Sequence, residues 1–492
     1  VTHSEPQLTA LFLAAGGLLL AACVLLSRAS GRIGVPVALI FLSIGMLAGR
    51  EGIGGITFAD YRLAFRFGTA ALALILFDGG LNTPLSAFRE ALGPSSVLAS
   101  LGVAGTAGMM ALGAHALGFT WAEALLLGAV VSSTDAATIF AVLRTSGIHL
   151  KRRVGMTVEL ESGLNDPIAV ILTIGLTEAL KRGTYSLPHM LLDIAIQAGV
   201  GAALGVGLGY AARWVLSISR LPVGGLYPIL TSALAALAFG IPSLLEGSGF
   251  LAVYLAGVIL GNSAFPFRTS VLRVHDSIAW FGQVTMFLLL GLLVSPSHLP
   301  VVVVPSVVLA LFLALVARPL VVWLCLLPFR RFTWRERLFI GWMGLRGAVP
   351  IILATFPVLE RVRSGERLFE IVFFVVVVNA LIPGATVRWA TRKLGVGLPV
   401  TPHPAALLEI TTTQSLQGAV VSFYIGGASS VCNASLADIP FPEGAAAMLI
   451  VRGHDLVAAR GPTVLQAGDH VYVFCRPEDR AFIDLLFGAE EE

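Results

Sequence analysis

The sequence predicts a polytopic all-α membrane protein of about thirteen transmembrane helices, with a small α+β domain at its C-terminal end. Three observations carry that prediction. Of 492 residues, 56% are apolar and only 12% charged, and the mean hydropathy is +0.88. A soluble domain carries about 25% charged residues, so half that share cannot coat a water-facing surface and most of the chain must face lipid. The apolar residues fall into runs near the roughly 20 that a helix needs to cross a bilayer core. After Lys393 the runs stop and the composition changes.

In order, the predicted spans are 7–27, 34–49, 67–82, 95–117, 122–143, 154–180, 188–216, 225–241, 249–264, 276–295, 301–327, 336–357 and 368–389. Each must be helical, because lipid offers no partner for backbone N–H and C=O groups. The third, ninth and tenth are short or part-polar. The first follows no basic residue, so it lacks the charged region of a cleaved leader and reads as a retained span. An odd number of spans puts the termini on opposite sides. Lys and Arg in alternate loops number eighteen against eight, and the richer set is cytoplasmic by the positive-inside rule. The N-terminus is then outside and the C-terminal domain cytoplasmic.

The membrane domain is assigned to 1–394, a Gly/Pro-punctuated linker to 395–404 and the C-terminal domain to 405–488. There, β-prone runs at Gly418–Ile425, Ala446–Val451 and Val471–Cys475 alternate with turn signals such as Gly453-His454-Asp455 and Ala467-Gly468-Asp469. Pro477–Phe487 reads as a short amphipathic helix. The net charge of +3 is too small to indicate a nucleic-acid partner, and four scattered cysteines show neither a metal-ligand nor a disulfide spacing.

Ionisable residues within a span are costly, and they are functional or paired. Two polar clusters interrupt the apolar runs. One is Ser132-Ser133-Thr134-Asp135 in the fifth span. The other is Glu159-Leu160-Glu161-Ser162-Gly163-Leu164-Asn165-Asp166 in the sixth, followed by Pro167. Spacing of four puts Glu161 with Asn165 and Ser162 with Asp166, two adjacent stripes on one helix face. Pro167 has no N–H and disfavours helical geometry at Asp166, which frees carbonyls one turn earlier. A carboxylate, a hydroxyl and loosened carbonyls are what a hard monovalent cation needs in place of its water. The alternative is interhelical hydrogen bonding without a ligand, which suits Ser133, Thr134 and Asn165 taken singly better than buried acids.

A third feature, Gly344-Leu345-Arg346-Gly347-Ala348-Val349-Pro350, predicts a broken twelfth helix and a buried charge needing a partner, for which Glu161 is the candidate. A snorkelling arginine is the alternative reading. If the helices divide as six, one linker and six, the fifth and twelfth spans correspond, and both are the interrupted ones. That is the signature of an inverted-repeat transporter with a midplane site. It rests on position, since no residue-level repeat is evident.

Thr134-Asp135, Glu161-Ser162-x-x-Asn165-Asp166 and Gly344-Leu345-Arg346-Gly347 resemble the motifs of the cation/proton antiporter superfamily, on its NhaP-type branch, over residues 7–390. The resemblance implies a bacterial inner-membrane homodimer that exchanges K⁺ or Na⁺ for H⁺. It implies that Asp166 carries the ion or proton, that Ser162 and Thr134 coordinate it, that Asp135 lies close by, and that Glu161 pairs with Arg346. Ala136 departs from the pattern, where many relatives have proline. The C-terminal stretches Ala434–Pro440, Ile450–Gly453 and Leu465–Val471 resemble the regulator-of-K⁺-conductance C-terminal (TrkA-C) domain. That implies a small regulatory ligand such as a nucleotide, no other cofactor, and a tilt toward K⁺. Gly205-Val206-Gly207-Leu208-Gly209 sits inside a span, where glycines serve helix packing, and is not read as a dinucleotide loop.

One carboxylate that holds a proton or a cation, but not both, exchanges them across an alternating-access cycle. The neutral Asn165 stands where electrogenic relatives carry a second aspartate, which implies an electroneutral 1:1 exchange. A ligand-gated cation channel and a Na⁺-coupled solute symporter are the rival readings. No nucleophile–base or metal constellation points to an enzyme.

Overall fold

In the computed structural model the described residues are 4–33, 35–135, 138–139, 149–182, 187–294, 297, 299–398, 418–427, 429–476 and 478–488. They fall into two units: unit 1 comprises residues 1–221, 225–263 and 271–398, and unit 2 comprises residues 222–224, 264–270 and 399–492.

The first unit is almost entirely helical. Among the described residues, nine helices are long and apolar enough to cross a bilayer, and four shorter apolar helices accompany them: Val37–Ala48, Trp121–Ser132, Gly249–Gly261 and Ala348–Leu359. The helices begin and end where local chemistry dictates. Tyr61–Asn82 starts six residues before the predicted span because the Asp60 carboxylate accepts the Leu63 N–H. Gly80 and Gly257 let two helices touch backbone to backbone, since a methyl group on Gly257 would meet the Phe77 carbonyl at 2.6 Å. The first helix, Glu5–Ile33, leaves most of its side chains exposed, as a lipid-facing helix does.

Two helices lead into non-helical segments of the chain. Trp121–Ser132 and Trp334–Trp342 each begin with a reciprocal capping box, Thr120 with Glu123 and Thr333 with Glu336. Both boxes read Thr-Trp-x-Glu. Each is preceded by a π-helical turn in the helix before it, Leu98–Gly102 and Leu313–Ala317. The Trp121 helix ends at Ser132, and residues 133–135 are not helical. The Trp334 helix ends at Trp342, residues 344–347 are not helical, and Ala348–Leu359 follows. Ala136 and most of the remaining predicted fifth span lie outside the described residues.

By contrast, Arg152–Arg182 runs unbroken through Pro167. An interior proline costs roughly 3 kcal/mol of helix stability. Here Leu160, Ala169, Ile171, Thr173 and Thr177 are buried around it, and that packing holds the helix together while Pro167 removes only one hydrogen bond.

The second unit contains a four-stranded antiparallel sheet in the order Ala419–Tyr424, Asp469–Cys475, Ala446–Arg452, Asp455–Ala458. Gly453 and Gly468 take positive φ in the turns, the conformation glycine tolerates best. Helix Arg480–Phe487 lays Ile483 and Phe487 on a core that includes Val421, Phe423, Val471 and Val473. Asp469 is fully buried and binds Arg452 through both oxygens, each at 2.8 Å. That bond pushes the Arg452 guanidinium above its ordinary pKa. The predicted linker begins at Gly395, which caps the preceding helix, and contains a two-residue strand, Gly397–Leu398; residues 399–417 lie outside the described residues.

Candidate functional site

Non-helical segments 133–135 and 344–347 meet each other and the middle of the Arg152–Arg182 helix. The Asp135 N–H donates to the Leu345 carbonyl at 3.0 Å, which ties one break to the other. The Asp135 carboxylate accepts the Thr138 hydroxyl at 2.8 Å and the Ala348 N–H at 3.3 Å. Ala348 opens a helix, so this carboxylate faces the positive end of a helix dipole. Gly347 is required by that approach, because a methyl group there would land on the Asp135 carboxylate.

The remaining groups converge from the facing helix. Ser133 Oγ donates to Asp166 Oδ1. Thr134 Oγ1 and Ser162 Oγ share a hydrogen bond of 2.9 Å, and Asn165 Nδ2 donates to Thr134 Oγ1 at 2.5 Å. Asn165 Oδ1 is buried with no hydrogen-bond partner among the described residues. Pro167 supplies no N–H to the Gly163 carbonyl four residues earlier. Thus Ser133, Thr134, Asp135, Ser162, Asn165 and Asp166 form one oxygen-rich cluster, and none is more than 5% exposed.

The Glu161 ion pair differs from the sequence expectation. Glu161 Oε1 is bound by Arg318 Nη2 at 2.5 Å, both residues being buried. Arg346 is fully buried, and none of its three guanidinium nitrogens makes a hydrogen bond among the described residues. Arg346 leaves the second break, whereas Arg318 enters from the first residue of the Arg318–Cys325 helix, directly after a π-helical turn. Arg318 is legible as a charge inside the span 301–327, the same signal that singles out Arg346. Thr138, Thr83 and Tyr254 are further additions, the last two beside the sequence-predicted Glu159. Thr83 Oγ1 lies 3.2 Å from Glu159 Oε1 and 3.3 Å from Tyr254 Oη.

One turn beyond Asp166, a cavity of about 770 Å³ is lined by Val170, Ile171 and Ile352 and by three acids, Glu178, Asp193 and Glu246. Among the described residues no three His, Cys, Asp or Glu side chains gather as a metal site needs. The oxygens gathered in the cluster can bind a small cation or protons.

Comparison with known proteins places this architecture. The profile described as "Sodium/hydrogen exchanger, transmembrane" matches residues 18–393. The chain belongs to that family. Residues 420–486 match the TrkA-C domain, so the family's membrane domain here carries a TrkA-C domain behind it. The chain is 40% identical over 486 residues to the K(+)/H(+) antiporter NhaP2 of Shewanella sp. (strain ANA-3), which covers 98% of this chain and 84% of that protein. It is also 40% identical over 466 residues to the K(+)/H(+) antiporter NhaP of Alkalimonas amylolytica, with 94% and 81% covered. The solved sodium proton antiporter MjNhaP1 from Methanocaldococcus jannaschii shares the fold, with a TM-score of 0.67 at 22% identity, covering 78% of this chain and 99% of that one.

Proposed function

We propose that this family member exchanges a monovalent cation, K⁺ in preference to Na⁺, for H⁺ by alternating access at Asp166. The observation that carries the reading is the contrast between two buried acids on one helix. Glu161 holds a permanent counter-charge in Arg318, whereas Asp166 makes no ion pair among the described residues. A buried carboxylate without a fixed cation must be neutralised by something exchangeable. The residue before Asp166 is the neutral Asn165, and this supports an electroneutral 1:1 exchange. Ser133, Thr134, Ser162 and Asn165 supply the oxygens that replace the ion's water, and Asp135 holds the two breaks together. The cavity that begins at Val170, one turn from Asp166, supports a polar approach to the site through Glu178, Asp193 and Glu246.

The K⁺ preference is supported by the names of the relatives that match nearly the whole chain. The reading includes thirteen spans in two inverted halves, with the N-terminus outside and the TrkA-C domain in the cytoplasm. The paired Thr-Trp-x-Glu boxes, and the π-turns in the helices that precede them, support the repeat. It also includes a homodimer in a bacterial inner membrane, and control by a small ligand, such as a nucleotide, on the TrkA-C domain.

Proteoliposomes holding a pH-sensitive dye test the proposal. K⁺ added outside an acid-loaded vesicle should dequench the dye for the wild type and not for Asp166→Asn. Exchange retained by that variant removes the mechanism.

A further inference from the structure

The helix that carries Asp166 is fastened at its N-terminal end to the segment leading out of the first unit. Helix Ala385–Leu394 stops at Gly395, which takes a left-handed conformation with φ +63°. The chain then turns back. Val396 is fully buried in the apolar cluster that also holds Val154 and Val158 of the site helix, Ile139 behind the first break, and Met343 and Leu345 at the second. The Val396 carbonyl accepts the N–H of Lys151 at 3.1 Å, and the Lys151 carbonyl in turn accepts the N–H groups of Val154 and Gly155. Lys151 is thus the residue from which the site helix starts. Next, Gly397 pairs with Leu150 and Leu398 with His149 as a short antiparallel ladder.

The same helix end is clamped from another direction. Arg153 binds Glu336 at 2.6 Å, and Glu336 also caps the Trp334–Trp342 helix that runs into the second break. A bundle needs no β-ladder at this place. Two strand residues contribute little stability alone, since isolated two-stranded pairs are marginal in water. Their consequence is geometric: the segment after the last span of unit 1 and the cap of the site helix move as one piece. Asp166 lies fourteen residues along that helix, roughly 21 Å at 1.5 Å per residue, on a rod that transmits axial displacement.

We propose that the Gly395–Leu398 strap is a positioning element, so that displacement of the chain toward the TrkA-C domain shifts the helix carrying Asp166. The inference rests on the exchange reading above. Gly395 is the place to test it, because a Cβ there meets no atom within 4 Å, and the strain of a substitution falls on the backbone. A β-branched residue resists φ +63°, whereas asparagine tolerates it.

In liposomes holding the full chain, Gly395→Val should raise the apparent KM for K⁺ or Na⁺ at least threefold while the maximal rate stays within twofold. Gly395→Asn should restore the wild-type KM. A merely structural role lowers the yield of folded protein or the maximal rate and leaves KM unmoved, and that result overturns the proposal. A second measurement guards against misfolding. Leu150→Cys with Gly397→Cys, in a background whose four native cysteines are alanine, should form a disulfide in membranes, because directly opposed strand residues lie within bridging range. The cross-linked protein should keep at least half the exchange rate of its reduced form. Absence of the disulfide, or a tenfold loss of exchange reversed by reductant, overturns the strap. Wild-type vesicles without cation-driven proton flux defeat the exchange reading itself, whereas flux with an unmoved KM defeats only the strap.

Discussion

Replacing Arg318 with glutamine strands the Glu161 carboxylate. At 2.5 Å and an effective dielectric of about 20, the pair attracts by about 7 kcal/mol. Desolvation returns several kcal/mol per ion, so the net worth of the intact pair is small. Breaking it is different, because the survivor stays buried and charged, and that costs about 3–5 kcal/mol. Glu161→Gln should cost a similar amount, and the double variant much less than the two together. The single losses sum to about 6–10 kcal/mol, so a double variant that costs about 3–5 kcal/mol gives a coupling energy of about 3–5 kcal/mol for Glu161 with Arg318. The parallel cycle with Arg346→Gln should give less than half of that, since Arg346 makes no hydrogen bond to Glu161. Unfolding of purified protein in mild detergent, followed by tryptophan fluorescence against denaturant, measures every variant of both cycles and the parent. A coupling larger for Arg346 than for Arg318 refutes the pairing and restores the partner that the sequence suggests.

Gly347→Ala should leave the protein folded yet cut exchange at least tenfold, because its methyl group displaces the Asp135 carboxylate from the Ala348 N–H; dye-dequenching rates at matched protein density check this. In the second unit, Arg452→Ala strands the fully buried Asp469 carboxylate. A loss of about 3 kcal/mol should lower the unfolding midpoint of that unit without changing the exchange rate of the folded fraction, as scanning calorimetry of the full chain paired with liposome assays would report.

Much of the candidate site is legible in the amino-acid sequence because of one asymmetry. In a run of Val, Leu and Ala, a single Asp or Arg stands out, and lipid makes each such residue costly. Asp135, Glu161, Asp166 and Arg346 are visible for that reason, and the turn signals at Gly453 and Gly468 for the equally local reason of backbone freedom. Matters that depend on distance between spans are not legible in this way. Spacing within one helix says which residues share a face, but not which arginine arrives from another helix, so the sequence points Glu161 at Arg346 while the fold delivers Arg318. Pro167 illustrates a second limit. Its local preference is to break a helix, and burial of the surrounding turns overrides it. The ladder of His149–Leu150 with Gly397–Leu398 illustrates a third, since two residues have no periodicity to detect and the partners lie far apart in the chain.

The central claim is that H⁺ and an alkali ion compete for the Asp166 carboxylate, and proton release measures this without any transport. Concentrated protein in weakly buffered detergent, at a pH where Asp166 is protonated, receives K⁺ while a glass electrode or pH dye records the solution. The account predicts close to one proton released per protomer, saturating with K⁺, and none from Asp166→Asn. Potassium binding without proton release, or equal release from the asparagine variant, contradicts it.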